Sequence, residues 1–173
     1  MRTTKALKKH YRIATMLAVA LAAIAAHGQN LIANQPEHSL PGVAPVQYLF
    51  PEQVTLTANK PATVALHFRV ANGLHINSHT PHDDYLIPTV FSIPANSGAR
   101  LESANYPSGA DITLPLDPKT RLSVYTGDFI IEARIVAMRG NYLVQARLHY
   151  QACNMSQCLP PRTITATFDV IAK

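Results

Sequence analysis

Apolar and polar residues alternate along much of the chain from residue 53 onward, with a period of two rather than 3.6. In the segment ATVALHFRV, Val64, Leu66 and Phe68 fall on one face, whereas His67 and Arg69 take the other. The segments FIIEARIVAM, NYLVQARLHYQ and TITATFDVIA repeat this alternation. A period of two is that of a strand that buries one face and exposes the other, as in antiparallel sheets.

Weaker strand patterns lie before and between these segments, bounded by glycine and proline residues. They cover residues 53–58, 73–77, 86–92, 99–104 and 121–125. No amphipathic helical pattern stands out, so the sequence predicts an all-β chain of roughly seven to nine short strands. The expected fold is an immunoglobulin-like antiparallel β-sandwich, and the lack of tryptophan limits the likeness to antibody domains to the architecture.

The N-terminal residues have the pattern of a secretory signal peptide. Five basic residues lie before residue 13, an apolar run of 14 residues covers 13–26, and the residues Ala26-His27-Gly28 follow. The run is short for a membrane span, which needs about 20 apolar residues. We therefore predict a signal peptide at residues 1–28, removed before Gln29, with an uncleaved anchor helix as the alternative.

The remaining chain divides into a short lead-in and one domain. Prolines at positions 36, 41 and 45 predict a lead-in over residues 29–50, either a linker or a loosely attached edge segment, followed by a single domain over residues 51–173. The net charge of +5 arises from fifteen Lys and Arg against ten Asp and Glu, and five of the fifteen lie before residue 13. Residues 29–173 are therefore neutral, which argues against nucleic-acid binding.

Both cysteines of the sequence, Cys153 and Cys158, lie in one short stretch, YQACNMSQCLPPR. Export would place them where disulfides form and persist. A structural bridge is one interpretation, although closing so short a loop contributes only roughly 2 kcal/mol in the chain-entropy estimate. A redox pair that cycles between dithiol and disulfide is a second interpretation.

The strand pattern bears on the redox interpretation. Continuing the alternation of the preceding strand places Cys153 on the exposed face with His149, and this predicts that a partner can reach Cys153. Cys158 would face Cys153 across a tight turn. Pro160 and Pro161 cannot donate ladder hydrogen bonds, so we expect them to hold the loop open.

A metal site is the third interpretation. Two cysteines alone leave zinc short of its usual four ligands, but His75, His79 and His82 lie in the segment GLHINSHTPHDDY. Imidazole and thiolate ligands together suit copper or zinc. The corresponding function is that of a non-catalytic β-sandwich binding module with metal ligands or a structural disulfide.

The stretch YQACNMSQCLPPRTITATFDV resembles the end of the N-terminal periplasmic domain of DsbD-type thiol:disulfide interchange proteins. The segments GLHINSHTPHDDYLIPTVFSIP and VYTGDFIIEARI are similar to earlier parts of the same family, so the resemblance covers about residues 45–172. It implies an immunoglobulin-like fold with a catalytic Cys153–Cys158 disulfide. It also implies a periplasmic component of a protein-disulfide reductase, relaying electrons to or from thioredoxin-like partners.

The resemblance implies surroundings for the cysteines as well. His75 and Asn77 occupy positions where the best-known family member has tyrosines beside the cysteines. With His149 and Tyr150, which precede the cysteines, they form the predicted pocket. Tyr150 also lies on the apolar side of its strand pattern, which favours a core position.

A cap loop that shields the cysteines in that family corresponds here to a segment without an aromatic residue, Leu116, Asp117, Pro118 and Lys119. The sequence also lacks a membrane electron-conducting segment. We therefore expect the electron donor to be a separate protein, with a membrane electron-conducting protein as one candidate. We further expect no cofactor and a monomeric domain.

Overall fold

The computed structural model describes residues 44–50, 52–115 and 117–173. The predicted signal peptide at residues 1–28 and most of the predicted lead-in lie outside the described residues. In the described part of the chain, no helix is long and apolar enough to cross a membrane. The strands there are β1 (Val46–Tyr48), β2 (Gln53–Leu56), β3 (Ala62–Val70), β4 (His75–Asn77), β5 (Val90–Ser92), β6 (Ala99–Asn105), β7 (Ala110–Leu114), β8 (Asp117–Tyr125), β9 (Asp128–Ala137), β10 (Gly140–Tyr150), β11 (Ala152–Cys153) and β12 (Arg162–Ala172).

These strands form three four-stranded sheets. The first sheet has the order β1-β3-β9-β6, the second β2-β12-β10-β5 and the third β11-β4-β8-β7. The pairs are antiparallel apart from β2 with β12, which run parallel. The third sheet contains both segments that the sequence assigned to the site, since β4 carries His75 and β11 carries Cys153.

The four long strands β3, β9, β10 and β12 have the alternating burial that the sequence predicted. Their inward residues join one hydrophobic core that includes Leu66 and Ile131 of the first sheet and Leu148 of the second. Burying each such side chain contributes about 1.5–3 kcal/mol. The predicted all-β, immunoglobulin-like antiparallel β-sandwich is therefore confirmed.

A row of aromatic rings connects the first sheet to the third. The ring centroids of Tyr48 and Phe68 lie 5.5 Å apart, those of Phe68 and Phe129 5.4 Å, and those of Phe129 and Tyr125 5.1 Å. Aromatic pairs at such distances contribute about 0.5–1.5 kcal/mol beyond their buried area. Because Tyr125 belongs to β8, the row anchors the sheet that carries the site.

Strand β1 was not predicted from the sequence. It lies in the segment predicted as a lead-in and pairs with β3, with Val46 opposite Val70. Val46 is buried, as is Val70. A strand of only three residues is too short for a period of two to be recognised, so proline composition dominated the prediction there.

A close backbone approach holds the third sheet against the loop that follows β4. The hydroxyls of Ser78 and Ser123 are 2.9 Å apart and both residues are buried. A Cβ at Gly109 would collide with the Ser123 hydroxyl oxygen and lie 2.9 Å from the Ser78 Cβ. Glycine is therefore required at 109 because of this contact, whatever its φ angle.

Candidate functional site

The chain changes sheets just before the first cysteine. Strand β10 ends at Tyr150, and after Gln151 the next two residues pair with β4 of the third sheet as β11. The Gln151 side chain contributes to the change, since its Nε2 donates to the Leu159 carbonyl at 3.2 Å. The alternation of β10 therefore does not continue to Cys153.

The prediction that Cys153 lies on the exposed face is wrong. Cys153 is only 4% exposed, and Ala152 beside it is buried as well. The physical reason is the change of sheet, which places both residues against β4. Cys158, in contrast, is exposed, so the accessible end of the pair is the second cysteine.

The two sulfurs form a disulfide across a tight hairpin. The S–S distance is 2.03 Å and the Cα atoms lie 3.9 Å apart. The residues on either side are joined by backbone hydrogen bonds, from Leu159 N to Ala152 O at 2.8 Å and from Asn154 N to Gln157 O at 2.9 Å. Cys153 and Cys158 therefore face each other directly, as the tight-turn prediction stated.

The two prolines lie just before the β10–β12 ladder begins. Pro160 and Pro161 are exposed and belong to no strand, and pairing of β12 with β10 begins at Arg162, opposite Tyr150. Because proline has no amide hydrogen, it cannot join the ladder at these positions. The loop that carries Cys158 therefore ends before the β10–β12 ladder begins.

His75 is the residue opposite Cys153 in the β4–β11 ladder. It is 3% exposed, and its burial lowers the pKa of the imidazole below the ordinary value of 6.5. Burial disfavours the charged ring, so the imidazole is neutral at neutral pH. Paired residues in such a ladder have Cβ atoms about 4.5–5.5 Å apart, so the side chains of His75 and Cys153 start from neighbouring positions.

The other predicted pocket residues have different surroundings. Asn77 is buried and its Nδ2 donates to the Ile87 carbonyl at 2.9 Å, which fixes the loop after β4. His149 is exposed and its Nδ1 lies 3.0 Å from the Thr163 hydroxyl. Tyr150 is part of the hydrophobic core, and burial raises the pKa of its phenol.

The alternative metal ligands are engaged separately. The ring of His79 stacks on Tyr106 with a centroid distance of 3.7 Å, and its Nδ1 lies 2.9 Å from the Thr89 carbonyl. The Nε2 of His82 lies 2.8 Å from an Asp111 carboxylate oxygen. Among the described residues, no group of three or more His, Cys, Asp or Glu side chains could hold a metal ion. The structure therefore does not bring His75, His79 and His82 together.

The predicted cap residues belong to the β7–β8 hairpin. Asp117, Pro118 and Lys119 are the first, exposed residues of β8, whereas Leu116 lies outside the described residues. Val124 of the same strand pairs with Asn77 of β4. Since a strand rises about 3.4 Å per residue, Lys119 lies about 17 Å along β8 from that point. Shielding of the cysteines by these residues stays a prediction.

Sequence reasoning missed the residue that shapes the hairpin. The Asn154 Oδ1 accepts hydrogen bonds from Ser156 N at 2.8 Å, Ser156 Oγ at 3.0 Å and Gln157 N at 2.8 Å. An asparagine that bonds the backbone two residues on is a known turn former. The sequence Asn-Met-Ser between the cysteines was therefore a usable signal for a turn.

Comparison with known proteins identifies the family of the chain. The sequence profile of the N-terminal part of thiol:disulfide interchange protein DsbD matches residues 44–170. One similar solved structure is the reduced N-terminal domain of Neisseria meningitidis DsbD, with 19% sequence identity, a TM-score of 0.44, and coverage of 67% of this chain and 82% of that chain. No curated protein sequence matches. Because the family profile matches most of this chain, the chain belongs to the family of DsbD N-terminal domains.

Proposed function

We propose that this domain exchanges its Cys153–Cys158 disulfide with thioredoxin-like proteins, and that Cys158 is the sulfur at which exchange begins. The observation that carries the proposal is the unequal exposure of the bonded pair, with Cys153 buried and Cys158 exposed. Thiol–disulfide exchange requires an attacking thiolate to reach one sulfur while the other leaves. Family membership supports the same chemistry.

Exchange begins with attack on the exposed sulfur. A partner thiolate attacks the Cys158 sulfur, a mixed disulfide forms, and Cys153 leaves as a thiolate that takes up a proton from solvent. The second partner thiolate then attacks the partner sulfur of the mixed disulfide and releases Cys158. The partner loses two electrons and two protons and becomes a disulfide, and this domain gains them as a dithiol.

His75 is the group we assign to the leaving Cys153 thiolate. A thiolate released in a buried position is destabilised unless a donor faces it, because burial disfavours charge. Neutral imidazole carries one N–H donor. The position of His75 opposite Cys153 supports a hydrogen bond from that N–H to the thiolate. Asn77 would then act indirectly, by fixing the loop that follows His75.

The setting of the reaction is part of the proposal. We infer that the domain works in the periplasm, after removal of residues 1–28, as a monomer. Its electron donor would be a thioredoxin-like domain. The recipients would be periplasmic thioredoxin-like oxidoreductases. The family assignment and the N-terminal sequence pattern support this setting.

Single-cysteine variants test the proposed order of attack. Cys153→Ser and Cys158→Ser would each be converted to the mixed disulfide with thionitrobenzoate and mixed with a thioredoxin that retains only its attacking cysteine. Release of thionitrobenzoate is followed by absorbance, and the protein–protein adduct by mass spectrometry. The Cys153→Ser protein should form the adduct rapidly and Cys158→Ser only slowly, since the remaining sulfur is buried in the latter. Adduct formation by neither variant, or a faster reaction at Cys153, would contradict the proposal.

A further inference from the structure

The turn between the cysteines is held by hydrogen bonds that do not involve sulfur. The Asn154 Oδ1 accepts from Ser156 N, Ser156 Oγ and Gln157 N, at 2.8–3.0 Å. Asn154 N in turn donates to the Gln157 carbonyl at 2.9 Å. One side chain therefore satisfies the donors of a turn whose residues 155–157 are exposed.

The other end of the hairpin is held in the same way. Leu159 N donates to the Ala152 carbonyl at 2.8 Å, and the Gln151 side chain donates to the Leu159 carbonyl at 3.2 Å. Strand β11 is fixed in turn by its pairing with β4. The cysteines thus lie between two sets of hydrogen bonds that remain available when the sulfur–sulfur bond is broken.

We propose that Asn154 is a positioning residue that keeps the two thiols opposite each other in the reduced protein. The inference deepens the proposed exchange function and rests on it for its biological meaning. In the oxidised protein the S–S bond already closes the hairpin, whereas in the reduced protein the turn must close by itself. Asn154 lowers the entropic cost of bringing the thiols together, and so favours re-formation of the disulfide.

The equilibrium with glutathione measures this effect directly. The effective concentration of one cysteine thiol toward the other is obtained from the ratio of disulfide to dithiol in glutathione buffers of known composition. Replacing Asn154 by alanine removes the shared acceptor, and a loss of about 1 kcal/mol corresponds to an effective concentration lowered about fivefold. The disulfide of Asn154→Ala should therefore be reduced more easily than that of the wild type.

A conservative variant and a distant control complete the experiment. Asn154→Asp keeps an oxygen acceptor for all three donors and should restore the wild-type value. The effective concentrations of Asn154→Asp and the wild type should be compared at about 1 M salt, where the added charge is screened within about 3 Å. Asn105→Ala removes an exposed asparagine of the first sheet, whose side chain donates to Glu132 of the same sheet, and should leave the equilibrium unchanged.

Hydrogen exchange provides a second measurement. In the reduced wild type, the amides of Leu159 and Gln157 should stay protected, and in reduced Asn154→Ala the Gln157 amide should exchange faster. An unchanged effective concentration in a folded Asn154→Ala protein would overturn the inference. Because glutathione is the reagent, this result does not depend on whether thioredoxin-like proteins react with the domain. Failure of the positioning role is therefore distinguishable from failure of the proposed function.

Discussion

Cys153 of β11 and His75 of β4 are directly opposite each other in an antiparallel ladder, and both are buried. The buried cysteine therefore has a histidine as its cross-strand neighbour. The sulfur that a partner can reach, that of Cys158, lies on the exposed side of the hairpin. In the proposed exchange, this division would separate the sulfur that is attacked from the sulfur that leaves.

Acidification should destabilise the oxidised protein through His75. Burial lowers the pKa of His75 below 6.5, so the unfolded chain binds a proton at a pH at which the folded chain does not. The contribution of the neutral ring to stability is complete above about pH 6.5 and decreases as the pH falls toward the folded-state pKa, by at most about 1.4 kcal/mol per pH unit. Urea unfolding at several pH values measures this loss.

His75→Gln should lose less stability between about pH 7.5 and pH 5.5 than the wild type, because glutamine does not titrate. His149→Gln alters an exposed histidine near the same cysteines and serves as the matched control. Comparison of the two variants tests whether the loss of stability is specific to His75. An identical dependence in the wild type and His75→Gln would show that His75 does not carry the effect.

Alkylation of the reduced protein should modify Cys158 before Cys153. The reagent must reach the thiolate, and of the two cysteines Cys158 is exposed and Cys153 is buried. Peptide mass spectrometry after short treatment with iodoacetamide measures the modified fraction of each cysteine. Asn154→Ala should reduce the difference between the modified fractions of the two cysteines, since a looser turn exposes Cys153. Equal rates in the wild type would mean that the reduced hairpin opens.

Tyr106→Phe should destabilise the domain by about 1–3 kcal/mol, the cost of leaving a buried donor unpaired. The Phe91 amide donates to the Tyr106 hydroxyl at 2.8 Å, and Phe91 is a buried residue of β5. The control is Tyr142→Phe. The Tyr142 hydroxyl donates to the Arg139 carbonyl at an exposed position. Tyr142→Phe should lower the free energy of unfolding by less than about 0.5 kcal/mol. Similar midpoints for both variants in urea unfolding would argue against the Tyr106 contact.

The strands with one buried and one exposed face could be predicted from the sequence, because a period of two directly reports such a face. For β3, the predicted inward residues Val64, Leu66 and Phe68 are all buried. For β8, the last residues from Leu122 to Tyr125 are buried on both faces, so no alternation marks the strand. The sequence predicted only part of it, and placed the start of β8 in a loop.

The exposure of the cysteines could not be predicted from strand periodicity, because it depends on which strand the residues after β10 pair with. The alternation of β10 was correct up to Tyr150, but the move of Ala152 and Cys153 onto β4 is set by tertiary pairing. The predicted position of Cys153 was wrong for that reason. The hairpin geometry, in contrast, is local, and the Asn154 turn was a signal already present in the sequence.

The reduction potential of the Cys153–Cys158 pair, measured by equilibration with thioredoxin and glutathione couples, tests the central claim most directly. Reversible exchange with thioredoxin-like proteins predicts a value above about −300 mV, within reach of the thioredoxin couple at about −270 mV. A value far below about −300 mV, with no exchange toward thioredoxin, would identify the bond as a structural clip and contradict the account.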